Sequence, residues 1–336
     1  MKLATYSDGS RDGQLVVVSR DLSTAHYATG IASRLQQVLD DWNFLSPQLQ
    51  DLYDTLNHGK ARHAFAFEPA QCLAPLPRAY QWLQGAAYVS HTALMYAARG
   101  LELPETLRTA PTVTQGASDA LLGAHAALRG LQPAWGVDFE AQLAAITADV
   151  PRGATPEQGL DAVRLLALAN GIRLRQLHDG AQGHEFAPDA ADVPTQPAIA
   201  FSPVAVTPDE LGETWQGGRV HLTLQTSVNG RKVGLSDAGA DMTFGFDQLI
   251  AHAARTRPLG AGSLIGSGAV SAPGTEKSGA TEWPKGYHSL IEKRATEVLQ
   301  QGAPHTGYLQ AGDTVRMEMK GRDGQSVFGA IAQQME

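Results

Sequence analysis

The chain has 336 residues, 43% of them hydrophobic and 18% charged, and a formal net charge of −8. That length exceeds what one small core needs, so two unequal domains are expected, and the composition is that of an ordinary globular protein. An acidic balance without a basic stripe argues against a nucleic-acid partner. No apolar run is long enough for a signal sequence or a membrane span, and the single cysteine, Cys72, excludes an internal disulfide and a cysteine-based zinc site. A cytoplasmic location without membrane contact is expected.

Residues 1–20 read as a hairpin, with "KLATY" and "QLVVVSR" joined by the turn-rich "SDGSRDG". "IASRLQQVLDDW" and "SPQLQDLYDTLNHG" carry apolar residues at helical spacing, and the second predicts Ser46 as N-cap, Pro47 in the first turn and Gly59 as the stop. The proline-rich "EPAQCLAPLPRAYQW" places a boundary near residue 80, dividing the chain into 1–80 and 81–336. "HTALMYAARG" is a short helix, followed by irregular chain to Gly130.

"WGVDFEAQLAAIT" alternates as a strand does, with Val137, Phe139, Ala141, Leu143 and Ala145 on one face and Asp138, Glu140 and Gln142 on the other. "TPEQGLDAVRLLALAN" predicts a helix capped by a Thr155/Gln158 box, with Pro156 at its first position. Residues 178–195 read as a long loop or lid. The last third predicts hairpins about Asn229-Gly230 and "GRDGQ", with a helix in "TFGFDQLIAHAART". Strands and helices in this order predict a β-rich α+β fold. Phosphate-loop, nucleophile-elbow and paired-histidine zinc motifs are absent, and a partial dinucleotide fingerprint at Gly266 and Gly268 lacks its third glycine.

With "AIAFSPVAVTPDELG", "LIGSGAVS", "TEWPKGY" and "GDTVRMEMKGRDGQSVFG", the strand at 135–147 resembles the fumarylacetoacetate hydrolase family, in a bacterial branch with a short N-terminal domain. The resemblance implies a small N-terminal β/α domain, a catalytic domain built on a mixed β-roll, a homodimer, and a small-molecule substrate. It also implies a Mg²⁺, Mn²⁺ or Ca²⁺ ion that holds the enolised oxygens of a β-diketone or 2-oxo acid while a C–C bond breaks.

This chain departs from the pattern at the implied metal ligands. Ala110 stands in the place of the first carboxylate, Gln142 of one member of the E-x-E pair, and Gly171 of the last, leaving Glu140. Gln196 replaces a lysine, Ala269 a threonine, and Thr114 an aromatic residue. One carboxylate cannot compensate the dehydration of a divalent cation, so no catalytic metal and no other cofactor is expected. Relieved of the ion, Glu140 should be an unpaired buried acid with a raised pKa, fit for general acid–base work.

Glu140, Arg175 and His184 are the expected catalytic residues, in a pocket with Ala110, Thr114, Gln115, Gln142, Gly171, Gln196, Ser267 and Ala269. The expected function is a metal-independent, repurposed enzyme that cyclises, dehydrates or decarboxylates an enolisable carbonyl compound. A catalytically inactive paralogue that binds a ligand or partner is the first alternative, and an ordinary metal-dependent hydrolase the second.

Overall fold

The computed structural model describes residues 1–177, 185–186, 193–277 and 280–336. The chain opens with β1 (Lys2–Tyr6), β2 (Gln14–Val18) and β3 (Thr24–Tyr27), an antiparallel meander whose first hairpin pairs Lys2 with Val18. Helices α1 (Leu35–Asp40) and α2 (Trp42–Asn57) follow, then the short β4 (Phe65–Ala66). Ser46 is therefore not an N-cap, because α2 starts at Trp42 and carries Pro47 inside it. Trp42 and Leu45 pack on the core that α1 and α2 share, and that burial outweighs the local start signal.

Next come β5 (Trp82–Gly85), α3 (Val89–Ala98), the single turn α4 (Thr106–Thr109) and β6 (Val113–Gly116). The long β7 (Val137–Thr147) leads through α5 (Pro156–Asp161) to β8 (Val163–Leu174). The Thr155/Gln158 capping box forms as expected. The predicted helix ends at Asp161, however, and "VRLLALANGIRL" is a strand. It pairs with β7 along its length and is buried on both faces, a setting in which an apolar run carries no period that separates strand from helix.

After β9 (Ala198–Phe201), β10 (Ala205–Val206) and α6 (Pro208–Leu211), β11 (Trp215–Gln216) pairs with β12 (Arg219–Val220). The hairpin of β13 (Thr223–Val228) and β14 (Arg231–Asp237) turns at Asn229 and Gly230, both at positive φ. Then follow α7 (Phe246–Ala253), β15 (Leu264–Gly266), β16 (Thr275–Lys277), β17 (Ala280–Glu282), α8 (Leu290–Gln301), β18 (Thr314–Met319) and β19 (Ile331–Gln334).

Among the described residues, eleven strands form one mixed sheet in the order β4-β3-β2-β1-β10-β8-β7-β15-β5-β6, with β9 also on β8. A four-stranded sheet, β14-β13-β18-β19, stands apart from it. The fold is β-rich α+β, and no helix among the described residues is long and apolar enough to cross a membrane.

The sheet's two faces explain where a site can form. On β7, Val137, Phe139, Ala141, Leu143 and Ala145 enter one core with residues of α7, α8 and the second sheet. The other face changes character along its length. Ile146 and Leu165, then Ala144 and Ala167, are cross-strand pairs under the N-terminal helices; Gln142 with Ala169, Glu140 with Gly171 and Asp138 with Arg173 continue the same face. Apolar pairs give way to polar ones, and the polar end is the candidate site.

Candidate active site

At that end, strand alternation brings Asp138, Glu140 and Gln142 of β7 to the same face as Gly171 and Arg173 of β8, with Arg175 one step past the strand end. Arg173 Nε donates to Glu140 Oε2 at 3.0 Å, and Arg175 Nη2 donates to Glu140 Oε1 at 2.6 Å. Arg175 Nε also donates to Asp138 Oδ2 at 3.1 Å. All four side chains are at least nine-tenths buried.

Asp138 has a second task. Its carboxylate accepts from the backbone N–H groups of Leu290 and Ile291 at 2.7 and 3.2 Å, which ties the N-terminus of the twelve-residue α8 to the sheet.

This geometry corrects the expectation for Glu140. Burial alone would raise its pKa, but the Arg173 and Arg175 guanidinium groups overcome burial and hold the carboxyl well below the ordinary carboxylate range. A carboxylate so paired is a poor proton acceptor near neutrality. Glu140 is a charge partner of both guanidinium groups here.

A cavity of about 280 Å³ lies against this cluster, lined by Glu140, Arg175, Thr114, Ser267 and Ala269 of the expected residues. Ser267 is spent on backbone: its Oγ accepts from Leu143 N–H at 3.1 Å and donates to the Gly268 carbonyl at 2.8 Å. A smaller cavity of about 10 Å³ beside it is lined by Gly171, Gln196 and Arg173, and Gln84 borders both.

Two expected pocket residues are elsewhere. Ala110 is exposed at the end of α4 and Gln115 is exposed on β6, and neither lines either cavity. Gln115 is adjacent to Thr114 on a strand, so it points to the opposite side. His184 lies outside the described residues. Gly171 sits mid-strand, paired with Glu140 across the ladder.

Gln142 is fully buried behind the lining. Its Oε1 accepts from Gly268 N–H at 3.0 Å, which fixes the amide orientation, and its Nε2 has no hydrogen-bond partner among the described residues. A Cβ on Gly171 would lie 2.9 Å from that Nε2 and 3.3 Å from Glu140 Oε2. The bare glycine is what leaves room there.

The sequence reading missed the titratable pair that faces the larger cavity. His91, on α3, lines it and keeps 17% of its side chain accessible, while its Nδ1 lies 3.1 Å from Glu292 Oε1 on α8. Glu292 Oε2 accepts in turn from the His288 backbone N–H at 3.1 Å. Burial would lower the His91 pKa, but the bond to Glu292 and its charge, with a smaller pull from Glu140, leave it raised. Glu292 is lowered, because His91 and the His288 N–H stabilise its anion more than burial penalises it. With Nδ1 turned to the carboxylate, Nε2 is the nitrogen left for chemistry.

A divalent cation does not fit this donor set. Both Glu140 oxygens hold guanidinium groups, the Gln142 carbonyl is taken by Gly268 N–H, and Gly171 offers no side chain. Among the described residues no three His, Cys, Asp or Glu side chains are placed to hold a metal ion.

The model for the fumarylacetoacetase N-terminal domain 2 matches residues 1–78, and that for the fumarylacetoacetate hydrolase C-terminal domain matches residues 81–335. No curated protein matches the chain.

Solved structures share the fold at low identity. A fumarylacetoacetate hydrolase from Exiguobacterium antarcticum is 19% identical with TM-score 0.63, covering 100% of this chain and 99% of its own. A probable 2-hydroxyhepta-2,4-diene-1,7-dioate isomerase from Mycobacterium abscessus is 16% identical with TM-score 0.65, at 100% and 98% coverage. Maleylpyruvate hydrolase from Sphingobium sp. SYK-6, solved with manganese(II) and pyruvate, is 17% identical with TM-score 0.61, at 100% and 98% coverage. By domain models that together span nearly its whole length, the chain belongs to the fumarylacetoacetate hydrolase family.

Proposed function

We propose that this protein is a metal-independent enzyme of the family, acting on an enolisable carbonyl compound of the β-dicarbonyl or 2-oxo acid class by general acid–base chemistry. The observation that carries the reading is the His91–Glu292 pair opening on the cavity that Arg175 and Glu140 also line. His91 Nε2 is the proposed base that takes the proton α to the carbonyl, and Glu292 holds the ring and stabilises the imidazolium that results. Arg175, anchored by Asp138 and Glu140, is the proposed positive charge beside the developing enolate. In an isomerisation the His91 imidazolium would return that proton to another carbon of the enolate; in a decarboxylation the loss of CO₂ would itself form the enolate, which would take a proton from the His91 imidazolium at carbon.

The proposed catalytic residues thus become His91 and Arg175, with Glu292 and Glu140 positioning them. The test is turnover of a panel of acylpyruvates and 2-oxo acids by protein treated with EDTA. Turnover that His91→Gln abolishes supports the reading; tight binding of panel members without turnover by the wild type would favour a ligand-binding paralogue instead. A homodimer is part of the proposal, and sedimentation at micromolar concentration checks it.

A further inference from the structure

Glu140 presents two anionic oxygens at this site: Oε1 meets Arg175, which the proposed reaction uses, and Oε2 meets Arg173, a side chain that no part of that reaction uses. Arg173 Nε sits 3.0 Å from Glu140 Oε2, and Arg173 lines the small cavity that Gly171 leaves open. Around that point the donors suit a built-in cation better than a metal ion. Gln142 and Gln84 are neutral amides, residue 171 has no side chain, and one ionised carboxylate remains in contact with the guanidinium.

The strand register makes this possible. Arg173 is two residues beyond Gly171 on β8, so it shares that face, and its Nε meets Oε2 of Glu140, the residue paired with the glycine. A larger residue at 171 would crowd Gln142 Nε2 and Glu140 Oε2, the oxygen that Arg173 holds.

We propose that Arg173 is the resident cation of this site, a positioning residue that holds Glu140 in place and excludes divalent cations from its oxygens. The inference rests on the metal-independent part of the proposed function and not on the reaction. A guanidinium remains charged under all working conditions, so the site's positive charge does not depend on the supply of a metal or on a chelator. A divalent ion entering here would have to displace a buried ion pair and meet the second guanidinium of Arg175 at Glu140 Oε1.

The experiment is calorimetric titration of the full-length protein with MnCl₂ and MgCl₂, together with thermal melts in the same salts. Wild type and Arg173→Lys, which keeps the charge, should show no stoichiometric binding and no ion-dependent rise in Tm. The triple variant Gln142→Glu, Gly171→Asp, Arg173→Ser replaces the guanidinium by space and two carboxylates beside Glu140, and should bind Mn²⁺ and gain an ion-dependent Tm shift.

Stoichiometric Mn²⁺ binding by wild type would overturn the proposal, as would a folded triple variant as unresponsive as wild type. Should the triple variant not fold, the double variant Gln142→Glu, Arg173→Ser, which sets a second carboxylate beside Glu140, decides: Mn²⁺ binding that wild type lacks is expected, and its absence overturns. If neither variant folds, the wild-type titration decides. These readouts need no substrate, so a protein without activity could still bear the inference out, and an active one could still refute it.

Discussion

Replacing Glu140 by glutamine removes one charge from a buried cluster while leaving its shape nearly intact. In the wild type, Glu140 meets Arg173 at 3.0 Å and Arg175 at 2.6 Å, and the three side chains are 2%, 5% and 8% exposed. Deleting one partner of a buried ion pair costs about 3–5 kcal/mol, because the other charge stays desolvated. The lower end applies here, since Arg175 keeps Asp138 at 3.1 Å and the new amide can still accept from one guanidinium. A loss of about 3 kcal/mol is expected at pH 7, read by urea unfolding with the m-value unchanged.

The pH dependence has a definite sign. Glu140 has a folded pKa below its unfolded value, so its contribution is complete above the unfolded pKa of about 4.3 and is lost as pH falls towards the folded value. The stability gap between wild type and Glu140→Gln should therefore be flat from pH 7 to about 5 and shrink below about 4. A loss under about 1 kcal/mol at neutral pH, or a gap that grows on acidification, would refute the pairing argument.

His91→Gln should lower kcat/KM by about 10²–10⁴, as expected for removing a general base, in an EDTA-treated assay on the best acylpyruvate or 2-oxo acid; unchanged turnover would exclude His91. Because the His91 pKa is raised, the acid limb of the pH–rate profile should fall above about 6.5, and Glu292→Gln should move it down. The same raised pKa stabilises the fold below the unfolded value of about 6.5, and that contribution is lost as pH rises through the folded pKa. Gly171→Ala should destabilise by about 1–3 kcal/mol, since its Cβ would crowd Gln142 Nε2 and Glu140 Oε2, and an unchanged urea midpoint would contradict that crowding.

Much of the fold was legible in the sequence because its signals are local. The β1–β2 hairpin, the Asn229-Gly230 turn, α7 and the alternating β7 each follow from turn chemistry or strand period. β8 was not legible, because "VRLLALANGIRL" is buried on both faces and its pairing with β7 is a tertiary fact.

That one misreading hid half of the site. With residues 163–174 read as a strand, Gly171, Arg173 and Arg175 fall on alternate positions and face Asp138, Glu140 and Gln142, and the ion-pair cluster can be inferred. With the same stretch read as a helix, Glu140 looks unpaired. The His91–Glu292 pair carried no such signal, since 201 residues separate its members and only the packing of α3 on α8 joins them.

Turnover after exhaustive chelation tests the central claim most directly. Protein freed of divalent ions, with metal content verified, should turn over at least one acylpyruvate or 2-oxo acid at a rate that added Mn²⁺ or Mg²⁺ leaves unchanged and that His91→Gln abolishes. Activity that appears only when Mn²⁺ or Mg²⁺ is restored, or that survives the loss of His91, would contradict it.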